Sequence, residues 1–390
     1  MNAGGVGIAR LFGIEIRISL AWAVLAAIVT MLGAEQAAVT SPGLAVPLQW
    51  VVGGLVALGF LVSVVAHELA HSLVGRRCGV ASSTIVLGFI GGLAPLSIQA
   101  RHPSDEMAIA LAGPGLSLVL GLALLPFALV VWISGQGLGA IAGGLVLIGG
   151  LNLILGFVSL LPGLPLDGGR VVRAIAWARS GDRDRAGRVA ARVGRMLGWI
   201  AVGVGVALAF ADLPTPGFLV LSLGWLIATG ARTLDRRLDL EILLRGATVG
   251  EAMQADGPRV APHLTVDTFA DRFSGPDAVS ALPVVADEKV LGVIGRKRLQ
   301  RLGRRRFAAT RAEGVMAVPP QAPLLAPGDA LWDVVDTLNG SGQDGLAVVD
   351  GGRFAGMITR EGIAVVMRQR VASSAAANPD AGANGRWRRR

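Results

Sequence analysis

The sequence predicts an α-helical polytopic membrane protein of about six transmembrane helices, followed by a C-terminal α/β part built from a duplicated unit. Three observations predict it. Hydrophobic residues make up 53% of the 390, and the mean hydropathy is +0.60, which a soluble globular chain would rarely show. Apolar stretches near 18–34, 51–75, 106–131, 138–161, 195–211 and 215–231 are long enough to cross a bilayer. From about residue 245, charges, prolines and short β-branched runs take over, and two halves of that region look alike.

Loop charges orient the spans. The connections 35–50, 132–137 and 212–214 contain no Lys or Arg, whereas Arg10, Arg17, Arg76, Arg77 and Arg101 flank the opposite ends. The connection after span four adds Arg170, Arg173, Arg179, Arg183, Arg185, Arg188, Arg192 and Arg195. By the positive-inside rule these ends and both termini face the cytoplasm of a cell membrane. The first span lacks a small-x-small cleavage site at its end, so it reads as an anchor. The segment 85–98 contains Gly88, Gly91, Gly92 and Pro95, which suits a re-entrant or membrane-dipping hairpin.

The net charge of +9 follows from these juxtamembrane arginines and their anionic headgroups, so no nucleic-acid partner is expected. Cys78 is the only cysteine, which excludes intrachain disulfides. The excess of Arg over Lys fits a GC-rich bacterial genome. Residues 373–390, polar and ending in Arg-Trp-Arg-Arg-Arg, read as a disordered basic tail.

Span two carries His67-Glu68-Leu69-Ala70-His71. On a helix, positions i and i+4 share a face, so both imidazoles can hold one Zn²⁺ while Glu68 serves as general base. Three ionisable residues in an apolar helix are costly. A wet helix end is the bland alternative, but Arg76-Arg77 lies well beyond the motif. Nine residues separate His67 from Arg76, which puts the site about 13 Å below the cytoplasmic boundary.

A catalytic zinc takes three protein ligands. His102 and His263 lie in a loop and in the C-terminal part, and neither suits the role. Asp167, in Leu161-Pro162-Gly163-Leu164-Pro165-Leu166-Asp167-Gly168-Gly169, is the one acid of its apolar stretch. From the residues alone it is equally a ligand or a cap paired with Arg170.

Together the HExxH in span two and the Pro-x-x-Pro-Leu-Asp-Gly-Gly segment two spans later resemble the site-2 protease family of intramembrane metalloproteases. The resemblance covers residues 1–235, the transmembrane protease domain. It implies one Zn²⁺ per chain held by His67, His71 and Asp167, with Glu68 activating water. It implies a transmembrane protein substrate, such as an anti-sigma factor or another membrane-tethered regulator, cut by regulated intramembrane proteolysis. The substrate strand would be unwound and could pair with the 85–98 hairpin.

The family's Asn-Leu-Leu-Pro is here Ser159-Leu160-Leu161-Pro162, so Ser159 stands where a substrate-positioning asparagine is usual. Asn152 is a second candidate for that role, with a helix–helix hydrogen bond as its alternative. Ala112-Gly113-Pro114-Gly115 resembles the family's small-residue segment, for which close packing suffices. A metal transporter, the rival class, would need further intramembrane His and acidic residues across several spans. An inert scaffold would not need Glu68.

In the C-terminal part, Met253 recurs as Met316 and Gly292 as Gly356, offsets of 63 and 64 residues. Each unit reads as helix–strand–strand–helix, with amphipathic helices at 265–273 and 330–338. The two units, 245–305 and 306–372, resemble a tandem pair of cystathionine-β-synthase (CBS) modules. Such pairs bind adenine nucleotides and modulate an attached enzyme. The usual Gly-h-h-Thr/Ser-x-x-Asp motif (h apolar) is degraded, with Gly295 and Arg298 in the first unit and Thr359 and Gly362 in the second. A dimerisation or docking platform, joining two copies of the chain, is the competing role.

Overall fold

The computed structural model describes residues 5–80, 84–88, 100–135, 137–255, 257–274 and 278–377. They form two compact units that part between Leu238 and Asp239.

The first unit opens with a hairpin where the sequence reading has only a lead-in to span one. Strands β1 (Val6–Leu11) and β2 (Ile14–Ile18) are antiparallel, and Phe12 and Gly13 between them have φ of 50° and 78°. Two left-handed residues in a row suit a two-residue turn that matches the strands' twist. Ile14 and Ile16 alternate with Glu15 and Arg17, and only the isoleucines are buried. β2 then pairs in parallel with β3 (Thr84–Leu87), and Ile85 and Leu87 join the same buried cluster as Trp22, Val56 and Phe60. The expected membrane-dipping hairpin over 85–98 therefore starts as a strand. Residues 89–99 lie outside the described residues.

Seven helices follow: α1 (Leu20–Thr40), α2 (Val46–Arg77), α3 (Pro103–Ile133), α4 (Gly139–Ser159), α5 (Asp167–Ser180), α6 (Arg183–Phe210) and α7 (Pro214–Leu244). Six of them, all but α5, are long and apolar enough to cross a membrane. Pro47 and Pro103 sit in the first turns of α2 and α3, where a missing N–H costs nothing. Asp182 caps α6 by accepting from the Arg185 amide at 2.9 Å. The helix that holds the fifth apolar stretch starts at Arg183, ahead of 195, and the one that holds the sixth runs to Leu244, beyond 231. Charged turns extend these helices because backbone bonding continues past the apolar stretch.

The helices are large-outside and small-inside. Leu55, Leu58, Phe127, Trp132, Phe157 and Phe218 are exposed, as lipid-facing side chains would be, while glycine and alanine fill the contacts. A Cβ on Gly198 of α6 would lie 2.7 Å from the Gly224 carbonyl of α7, so only glycine permits that approach. α3 packs against α2, α4 and α5.

The second unit is a duplicated α/β fold. Its elements are α8 (Val249–Ala252), β4 (Gln254–Ala255), α9 (Val266–Phe269), β5 (Ala281–Ala286), β6 (Lys289–Gly295), α10 (Arg296–Leu302), α11 (Ala312–Val315), α12 (Leu331–Ser341), β7 (Gly345–Asp350), β8 (Arg353–Thr359) and α13 (Arg360–Ala377). The hairpins repeat in register: Ala281 faces Gly295 as Gly345 faces Thr359, and bulges fall at Val284/Val285 and Val348/Val349.

The halves exchange segments. β4 pairs with β8, while Ala317 bridges Val293 of β6. Accordingly Val249 and Ala252 are buried with Leu331, Leu346 and Ile358, and Ala312 and Val315 with Val266 and Ile294. Two side-chain links also cross between halves at equivalent places. Ser280 donates to Glu361 at 2.8 Å, and the Lys297 amide donates to Asp344 at 3.0 Å. The tail expected to be disordered from 373 is helical as far as Ala377; residues 378–390 lie outside the described residues.

Leu346 is fully buried in the core that holds the exchanged segment. Leu346→Ala should cost about 2–5 kcal/mol, read as a lower melting temperature of this unit by scanning calorimetry on the full chain.

Candidate metal centre

A histidine ligand needs one nitrogen bare and the other held. Both conditions arise here from helix geometry. α2 places His67 and His71 one turn apart and buried, facing α3. The Nδ1–H of His71 donates to the Ile109 carbonyl at 2.6 Å, which leaves Nε2 with its lone pair. His67 Nδ1 is hydrogen-bonded to Ser117 Oγ at 2.9 Å, and that hydroxyl accepts when Nδ1 carries the proton. Both Nε2 atoms then point to one spot, 3.2 Å apart.

The third group comes from the other side of the fold. The break after α4 returns the chain at Leu166, and Asp167 is the first residue of α5. Its Oδ2 lies 3.4 Å from His67 Nε2 and 3.3 Å from His71 Nε2. Arg170 turns to Glu106 at 2.9 Å and does not pair with Asp167, whose carboxylate lies beside the two imidazoles.

Three electron-rich atoms on a triangle with edges of 3.2–3.4 Å repel one another unless a cation lies among them. One proton cannot bridge three acceptors. A tetrahedral ion with bonds of about 2.0–2.1 Å sets its ligand atoms about 3.3–3.4 Å apart. The donor set and its spacing therefore fit Zn²⁺. Among the described residues this is the one group of three or more His, Cys, Asp or Glu that could hold a metal.

Glu68 is buried on α2 between the two histidines. The other two sequence candidates lie on α4. Asn152, fully buried on α4, donates to Ser63 Oγ of α2 at 3.1 Å and to its own Ile148 carbonyl at 2.9 Å. That is the helix–helix bond anticipated as its alternative role. Ser159 is buried at the end of α4. Neither is hydrogen-bonded to the three ligand candidates.

Sequence reasoning missed Ser117, the Ile109 carbonyl and Glu106, and gave Gly113 no chemistry. Packing does explain Gly113, but what it packs against is the site. A Cβ there would fall 2.7 Å from His67 Nε2, and closer still to His71 Nε2. The stripe Glu106, Ile109, Gly113, Ser117 has helical spacing, so one face of α3 meets both imidazoles and, through Glu106, two arginines of the helix that bears Asp167.

Comparison with known proteins is consistent with this chemistry. Residues 55–144 and 134–201 match peptidase family M50, and residues 249–304 match the CBS domain. A Synechocystis protein, sll0528, which bears the name of a zinc metalloprotease, is 30% identical over 363 residues, 92% of this chain and 94% of its own. Rip3 of Mycobacterium tuberculosis, named likewise, is 34% identical over 320 residues, covering 81% of this chain and 80% of its own. The solved structure of a site-2 protease from Methanocaldococcus jannaschii is 28% identical, with a TM-score of 0.41, and the match covers 59% of this chain and 94% of that one.

Gly113→Ala isolates the steric argument. Alanine favours a helix by about 1 kcal/mol over glycine, yet here it should weaken zinc binding at least about tenfold, a loss of about 1.4 kcal/mol. Gly115→Ala, whose Cβ meets nothing within 4 Å, should bind zinc as the wild type does. Competition with a chromophoric chelator measures both.

Proposed function

The chain belongs to peptidase family M50, and from that premise we propose that it is an intramembrane zinc endopeptidase. It hydrolyses a peptide bond within or near the transmembrane segment of a membrane-protein substrate. The observation that carries this reading is the triangle of His67, His71 and Asp167 at tetrahedral spacing, with Glu68 between the two histidines on an apolar helix.

In this reading His67, His71 and Asp167 hold the ion. Zinc supplies Lewis acidity toward a water and toward the scissile carbonyl. Glu68 takes a proton from the attacking water on its carboxylate and returns it to the departing amine, so hydroxyl ends on the acyl carbon and hydrogen on nitrogen. Ser117 and the Ile109 carbonyl keep the imidazoles in the tautomer that presents Nε2. The substrate helix must unwind locally, because its carbonyls are otherwise satisfied by its own backbone.

The arginine-rich connections support an orientation with both termini in the cytoplasm of a bacterial cell membrane, and a site within reach of cytoplasmic water. Regulated proteolysis of a membrane-tethered regulator, an anti-sigma factor being one such substrate, is the biological role that fits. Ser159 and Asn152 remain candidates for positioning substrate, Ser159 nearer the Asp167 segment in sequence. The C-terminal pair would modulate activity or assembly, including association of two copies.

An adenine nucleotide is disfavoured at that pair. Arg298 and Gly362 replace the ribose-binding acids, and Thr359 Oγ1 already accepts from the Gly362 amide at 3.3 Å. Calorimetric titration of the full chain with ATP and AMP should give no saturable heat at millimolar ligand; a fitted Kd below about 0.1 mM would reverse that reading.

Glu68→Gln is the direct test of catalysis. It should lower cleavage of a co-reconstituted substrate by more than about 10³-fold, the upper range for loss of a general base, while zinc content stays near one per chain. Full cleavage by this variant would remove Glu68 from the chemistry.

A further inference from the structure

Asp167 is aimed by the setting of α5. It follows a proline- and glycine-rich segment, begins a helix of only 14 residues, and its described side-chain partners are the two imidazoles. A helix turns about 100° per residue. A slip of one residue in the setting of α5 would therefore carry the carboxylate off the triangle. Something must fix both the rotation and the height of α5 before a metal arrives.

One buried group bears on both. Glu106, in the first turn of α3, is 1% exposed, and its Oε1 accepts from Arg170 Nε at 2.9 Å and also from Arg173 Nη2. The two arginines are three residues apart on one face of α5, within two turns of Asp167. Two donors along the axis converging on one acceptor constrain both rotation and rise, beside the packing of α5 on α6 and the bond from the Leu164 amide to the Ala190 carbonyl at 3.3 Å. Glu106 also belongs to the α3 stripe that ends in the Ile109 carbonyl, Gly113 and Ser117. The helix that orients the imidazoles thus also holds the carboxylate-bearing helix.

We propose that Glu106, through Arg170 and Arg173, is a positioning residue for the third metal ligand. Its work is to place Asp167, and it touches neither metal nor substrate. This rests on the reading of Asp167 as a ligand. The cost of the arrangement is a carboxylate and a guanidinium taken out of water, tolerable only while both stay paired.

The test is a double-mutant cycle on zinc affinity, using the full-length protein in detergent and competition with a chromophoric chelator. Asp167→Ala should weaken zinc binding. Glu106→Gln should weaken it about 10–100-fold, as loss of a supporting partner does, and should dim and shift the visible absorption of the Co²⁺-substituted protein. In the Asp167→Ala background Glu106→Gln should change zinc affinity less than about twofold. Arg170→Gln, whose side chain is 29% exposed, carries the same cycle if Glu106→Gln does not fold.

Wild-type affinity in Glu106→Gln, or an equal loss in both backgrounds, would overturn the proposal and leave the ligand reading standing. Unchanged affinity in Asp167→Ala alone would overturn the ligand reading, and this inference with it.

Discussion

An imidazole gives a metal the lone pair of its unprotonated nitrogen, so a built metal site needs a partner on the other N–H to fix the tautomer and aim the ring. The bond from His71 Nδ1 to the Ile109 carbonyl meets that requirement, and Ser117 meets it for His67. Much of the first unit can be read as a consequence. α3 must lie against α2 closely enough for a backbone carbonyl to reach a ring nitrogen, which requires Gly113 at the crossing. The same face of α3 then has to bring in the third group from a helix far along the chain. It does so by burying Glu106 against two arginines of α5.

The electrostatics follow one pattern throughout. Buried and half-buried ionisable groups here are matched to partners: imidazole to carboxylate, Glu106 to two guanidinium groups, Arg195 of α6 to Asp235 of α7 at 3.2 Å. In a low-dielectric interior an unpaired charge is far costlier than a missing apolar contact. The rest of the bundle is assembled by small residues at helix contacts and large ones outside. Close packing by glycine needs no solvent-driven force, which lipid does not supply.

Much of this was legible in the sequence. His67, Glu68 and His71 stand out because a metal motif is encoded at local spacing; Asp167 stands out as an isolated acid among prolines and glycines, but only the family resemblance favours a ligand over a cap there. What held them was not legible. Ser117 and Ile109 lie 50 and 38 residues from the histidines they serve, and one partner is a backbone carbonyl that any residue could provide. Glu106 carries no motif that marks it out, and Arg170 and Arg173 read only as charges that set orientation, Arg170 also as a partner for Asp167. The Ile14–Ile18 alternation is a strand pattern that the reading of the neighbouring apolar span left unused. In the second unit the repeat was legible from Met253/Met316 and Gly292/Gly356. The exchange of segments between halves was not, because pairing of β4 with β8 depends on contacts a hundred residues apart.

The central claim is that two imidazoles and one carboxylate share a single zinc ion. X-ray absorption at the zinc edge of the purified full-length protein measures that shell directly. The account predicts only nitrogen and oxygen neighbours at about 2.0–2.1 Å, with multiple-scattering features of two imidazoles. A sulfur neighbour at about 2.3 Å, or a fit that needs three or more imidazoles, would contradict it.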